Sequence, residues 1–187
     1  MSQAPGEWFR GSSNGVWAIV ALVAVVAVIV GDAVSGWHLA VTLGAVLFGL
    51  LAYATFVRPR VGVERGELVL HHLYSTQRLP VAAVESVAIG RTFEATAAGR
   101  HYVSSAIMRP LRQAISLQGP ATPETSYPDF VEARIRSLAD DARATAGIAR
   151  ESEEQWALAE DVRRTWDWPL IGVTVVVAVA FVVAIVV

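Results

Sequence analysis

"RPRVGVERGELVLHHL" (58–73) is the stretch whose reading decides the fold. Val61 and Val63 share one face, Leu68 and Leu70 share another, with Val69 and Leu73 opposite, and Gly66 marks a turn between the two halves. Side chains alternate along a strand, so the pattern predicts a half-buried antiparallel pair. Immediately upstream, "WHLAVTLGAVLFGLLAYATFV" (37–57) is an apolar run of the length that crosses a bilayer. A water-facing hairpin therefore begins where a membrane span ends.

Two further runs match it, "GVWAIVALVAVVAVIVGDAV" (15–34) and "WPLIGVTVVVAVAFVVAIVV" (168–187). Each has about 20 residues, which as a helix spans a hydrocarbon core of about 30 Å. The composition agrees: 54% of the 187 residues are hydrophobic, too many for an ordinary soluble domain. A short polar start before the first run resembles a secretory leader, but it carries a single basic residue, Arg10, and a second span follows at once. An uncleaved helical hairpin turning through "GDAVSG" is the simpler reading.

Orientation follows from arginine. Arg10 precedes the first span, Arg58 and Arg60 follow the second, and Arg163 and Arg164 precede the third; the intervening turn has Asp32 and no arginine. By the positive-inside tendency, the N-terminus and residues 58–167 are expected in the cytoplasm. Trp17, Trp37, Trp166 and Trp168 stand near span ends, where indoles favour the interface. Arg58, Arg60, Arg163, Arg164, Trp166 and Trp168 are thus expected to anchor the chain at the membrane surface.

Beyond the first hairpin, "STQRLP", "VAAVESVAIG", "RTFEAT", "HYVSSAI" and "LRQAISLQG" read as further strands, with Pro80 interrupting and "AAGR" turning. A proline-rich loop then precedes a helix with Ser126 and Asp129 at capping-box spacing. Phe130, Val131, Ile135, Leu138 and Ala142 form its apolar stripe, so it is expected to cover one opening of the sheet. "ESEEQWALAEDVRRTW" reads as a second helix, acidic at its start and basic at its end. The predicted fold is a membrane α plus α+β protein: a transmembrane helical hairpin, a small β-barrel or sandwich with a C-terminal capping helix, and a third transmembrane helix. The expected segments are a cytoplasmic tail (1–14), the hairpin (15–57), a cytoplasmic domain (58–147), a connecting amphipathic helix (148–167) and the last span (168–187).

"VRPRVGVERGELVLHH…QRLPVAAVESVAIG" resembles the bacterial pleckstrin-homology (PH-like) family, in particular small actinobacterial membrane proteins related to low-molecular-weight antigen 6. The similarity covers roughly residues 37–118. It rests on a paired span before an "RPR" exit and on the spacing of Arg78, Pro80, Val84 and Val87. The third span and the helix at 151–166 are not part of the simplest family layout. The resemblance implies a multi-pass protein of the bacterial plasma membrane with a cytoplasmic PH-like domain.

Reactive chemistry is sparse. There is no cysteine, which removes thiolate sites and disulfides, and no lysine, which removes Schiff bases and phosphate-loop lysines. Formal net charge is −2, and no nucleic-acid partner is expected. Adjacent His71 and His72 point to opposite faces of a strand and cannot share a metal ion. Ser104, Ser105 and His101 lack a nucleophile elbow, and Glu151, Glu153 and Glu154 read as a solvated helix start. No metal, cofactor or catalytic residue is expected. Arg91, Arg100, Arg109 and Arg112 bracket one hairpin, and Arg91 and Arg100 are the candidates for contact with a lipid headgroup; the "VERGE" loop has nearly cancelling charges. The spans carry no charge in their middles, against a lone transporter. Small residues four apart, Ala40/Gly44, Ala45/Gly49 and Ala180/Ala184, permit close helix packing. The expected function is non-catalytic binding or scaffolding directed at a protein partner, with membrane lipids contacted through the three spans. The alternatives are an accessory subunit of a larger membrane complex and a lipid-headgroup module.

Overall fold

A computed structural model describes residues 6–9, 12–107 and 127–187, with side chains from residue 15 onward in the first helix. Two compact units divide the chain.

The apolar unit contains three helices long enough to cross a membrane: α1 (Ser12–Ser35), α2 (Leu39–Ala52, prolonged by a π-helical turn, Tyr53–Val57) and α5 (Trp168–Val186). Two further α-helices among the described residues, α3 (Tyr127–Ala146) and α4 (Glu153–Leu158), belong to the second unit. α2 packs against both α1 and α5. Its glycines make this possible. A Cβ on Gly44 would come within 2.9 Å of the Phe181 ring on α5, and one on Gly49 would meet Val25 of α1 at 3.4 Å. The turn between α1 and α2 is tied by Asp32, which accepts from the His38 amide at 2.9 Å and the Thr42 hydroxyl at 2.8 Å. Asp167 caps α5 through the Leu170 amide, and its other oxygen lies 2.7 Å from Nη1 of Arg58. The start of the last span is thereby fixed to the end of the second.

The second unit holds two antiparallel sheets. The larger has strand order β1-β2-β3-β4-β8: β1 (Glu7–Phe9), β2 (Arg60–Glu64), β3 (Glu67–His71), β4 (Ser75–Pro80) and β8 (Arg163–Trp166). The smaller is β5 (Ser86–Ile89), β6 (Phe93–Ala97) and β7 (Arg100–Ser104). Two-residue turns close β2–β3 and β6–β7, with positive φ at Arg65 and Gly66 and at Ala98 and Gly99, the hand that matches strand twist. Val61, Leu68, Leu70 and Leu79 from the larger sheet and Val87, Ile89, Phe93 and Ala95 from the smaller form one core. Helix α3 (Tyr127–Ala146) covers it with Val131, Ile135 and Ala139.

Several expectations change. Within the expected tail (1–14), Glu7–Phe9 is a strand paired with β2, and α1 begins at Ser12. Trp8 lies opposite Gly62, where a Cβ would fall 2.6 Å from the indole, so the missing side chain seats the ring. The expected strand at 81–90 starts only at Ser86, because a 3-10 turn (Val81–Ala83) follows Pro80. The expected connecting helix (148–167) is a short α4 (Glu153–Leu158), a 3-10 turn and then strand β8. Its "RRTW" end pairs beside β4 rather than continuing the helix. In α3 the buried row advances by four, from Val131 to Arg143, which leaves Phe130 53% exposed and Leu138 half-buried. "LRQAISLQG", the Ser126 cap, Arg109 and Arg112 lie outside the described residues.

Candidate functional site

A sheet edge is a row of backbone donors and acceptors, so each edge needs an account. On β5 the row is used by α3: Glu132 accepts from the Ile89 amide at 3.2 Å, and Arg136 donates to the Val87 carbonyl at 3.1 Å. The irregular chain before β5 is also satisfied. Buried Arg143 donates to the Val84 carbonyl, and fully buried Gln155 donates to the Ala82 and Val84 carbonyls at 3.2 and 3.3 Å. At the other side of the smaller sheet, β7 is the outermost strand among the described residues.

Beside β7 lies a cleft of about 450 Å³ whose lining includes Arg100, Tyr102 and Val103 of β7, Glu160 and Val162 from the chain leading into β8, and Arg164 of β8. Val103 is 47% exposed. The cleft mixes apolar, aromatic and charged groups, and Glu160 offsets part of its positive charge. It suits an extended chain with side chains of both kinds.

The sequence candidates scatter. Arg100 is in the cleft, whereas Arg91 is exposed in the β5–β6 turn. The register places Arg100 beside Ala97 and the β5–β6 turn beside Phe93, so the two arginines stand at opposite ends of β6, roughly 13 Å apart along a strand rising about 3.3 Å per residue. Arg164 joins Arg100 across the cleft, and Arg163 is exposed beside it on β8. Trp166 and Trp168 are exposed at the junction of β8 and α5. Arg58 is mostly buried in its ion pair with Asp167, and Arg60 lies with its guanidinium carbon 5.7 Å from the Trp8 ring. These two arginines therefore tie protein to protein.

His71 ends β3, His72 lies just past it, and the two have different neighbours. His71 bonds Thr76 and stacks on Trp8, whereas partly buried His72 has its pKa lowered, first by desolvation and further by Arg164, with a hydrogen bond to Gln77 opposing. Ser104 is buried while His101 is exposed and paired with Glu94, so the two do not meet. No group of three or more metal-ligating side chains assembles among the described residues. Sequence reasoning missed Tyr102, Val103 and Arg164 as neighbours; only the strand placement of 163–166 brings them together.

Comparison of the chain with protein-family models, with curated proteins and with solved structures finds no match.

Proposed function

We propose that this protein is a non-catalytic, membrane-anchored binding module of PH-like architecture, whose two sheets and capping helix form a bent, barrel-like shell on the cytoplasmic side of a bacterial plasma membrane. Its ligand is a segment of another protein, added along β7. The observation that carries the reading is the cleft beside β7, the outermost strand of its sheet among the described residues, whose counterpart β5 is already sealed by Glu132 and Arg136. Backbone pairing supplies affinity in such strand addition, and the side chains along the cleft supply selectivity. Three spans concentrate the module at the membrane, so a weak interface suffices. Arg100 and Arg164 across one cleft favour a second reading, an anionic lipid headgroup.

A photo-crosslinking residue at Val103, in the full chain in native membranes, separates the two. The expected result is a discrete protein adduct that weakens on Tyr102→Ala and varies little with salt. Adducts to lipid alone, lost on Arg100→Gln and at raised salt, would replace the protein-directed reading with headgroup recognition.

A further inference from the structure

The larger sheet already binds a strand that is remote in sequence. Glu7–Phe9 reaches β2 across two intervening spans and pairs with Val61–Val63. Its three side chains meet three distinct features. Glu7 faces α3, where Arg134 donates to both carboxylate oxygens, one at 2.8 Å. Trp8, on the other face, lies over Gly62, stacks on His71 at 5.4 Å and receives Arg60 at 5.7 Å. Phe9 enters the core, 7% exposed, opposite Val61. The edge of β2 is thus built for the order acid, aromatic, apolar.

The attachment is slight for so specific a seat. β1 covers three of the five residues of β2, leaving Arg60 and Glu64 beyond its ends. Glu7 and Arg134 are 39% and 40% exposed, and ion pairs of that exposure contribute little. Only Phe9 is buried. A longer segment of the same chemistry would pair with the whole of β2 and make the same three contacts.

We propose that the edge of β2 is a second strand-acceptor site, for an extended segment of a membrane-associated protein carrying an acid, an aromatic and an apolar residue in succession, and that Glu7–Phe9 is a displaceable strap occupying it. Charge and shape on the acceptor define the occupant: Arg134 selects the acid, the Gly62 floor with His71 and Arg60 selects the aromatic, and the Val61 row selects the apolar residue. The site shares no lining residue with the β7 cleft.

The test uses the full chain in lipid nanodiscs and a fluorescent peptide with the sequence of residues 5–10, PGEWFR, against a PGEAFR control. Trp8→Ala should free the edge and raise affinity for PGEWFR at least tenfold, with no gain for the control. Adding Gly62→Val should abolish the gain. Glu7→Gln, which retains both aromatic contacts, should give a smaller gain of about two- to fivefold and covers the case in which Trp8→Ala fails to fold. Absence of any gain in the folded variants, or a gain that survives Gly62→Val, overturns the proposal. A wild-type dimer dispersed by Trp8→Ala also overturns it, since the occupant would then be a second copy of the chain.

Discussion

His72 and Gln155 show how single polar groups are handled inside the strand-rich unit. Gln155 is fully buried and spends its amide on two carbonyls and its oxygen on the Glu151 amide. His72 is less well served: Nε2 is buried without a hydrogen-bond partner among the described residues, and Arg164 stands near. Burial and that charge hold its pKa below the ordinary 6.5. The unfolded chain therefore takes up the proton first as pH falls, and the folded state loses stability as pH drops below about 6.5. Thermal unfolding of the full chain in detergent should show a lower midpoint at pH 5 than at pH 7.5, and His72→Asn should shrink that difference. An unchanged difference in the variant would place the proton uptake elsewhere.

At the scale of elements, α3 separates what hydrophobicity announces from what packing uses. Ile135 is fully buried with Val131 and Ala139, whereas Phe130, one residue or about 100° off that row, faces outward. Ile135→Ala should cost about 2–5 kcal/mol as a core truncation. Phe130→Ala should stay within about 0.5 kcal/mol, as exposed sites do. Denaturant titration of the two variants checks both; a large loss at Phe130 would mean that it packs inward. The same contrast explains how much could be read in advance. The three spans, the β2–β3 and β6–β7 hairpins and the helix from Tyr127 follow from local pattern, since alternation, turn glycines and helical spacing are all written within a few residues. β1 and β8 do not, because three- and four-residue strands acquire their identity from a distant edge. "EWF" becomes a strand because Gly62 receives Trp8, and "RRTW" because β4 offers it a neighbour. The cleft inherits that limit, one wall being β8. Among its residues, Arg100 was a sequence candidate for ligand contact, and Arg164 was a candidate only as a membrane anchor.

For the whole molecule, strand pairing constrains topology independently of arginine counting. β1 precedes α1 and its partner β2 follows α2, so both ends of the helical hairpin emerge on one side. The arginine pattern predicts that this side faces the cytoplasm, the orientation proposed above. A cysteine at Ser86, exposed on β5, should resist an impermeant thiol reagent in intact cells, while one at Ser35, the last residue of α1, should react. Ser75, on the same strand-rich side, is 2% exposed and would stay silent in either orientation. Labelling at Ser86 would invert the assignment. The β1–β2 ladder also has a consequence in time. Ribosomes complete β1 long before β2, with 51 residues between Phe9 and Val61 in the register; at about 5–20 residues per second that is roughly 3–10 s. If α1 and α2 cross a bilayer, the hairpin has to leave and return during that interval, and a chain inserted with only one of the two helices would leave Glu-Trp-Phe across the bilayer from β2. The ladder can therefore close only after both ends of the hairpin have been made.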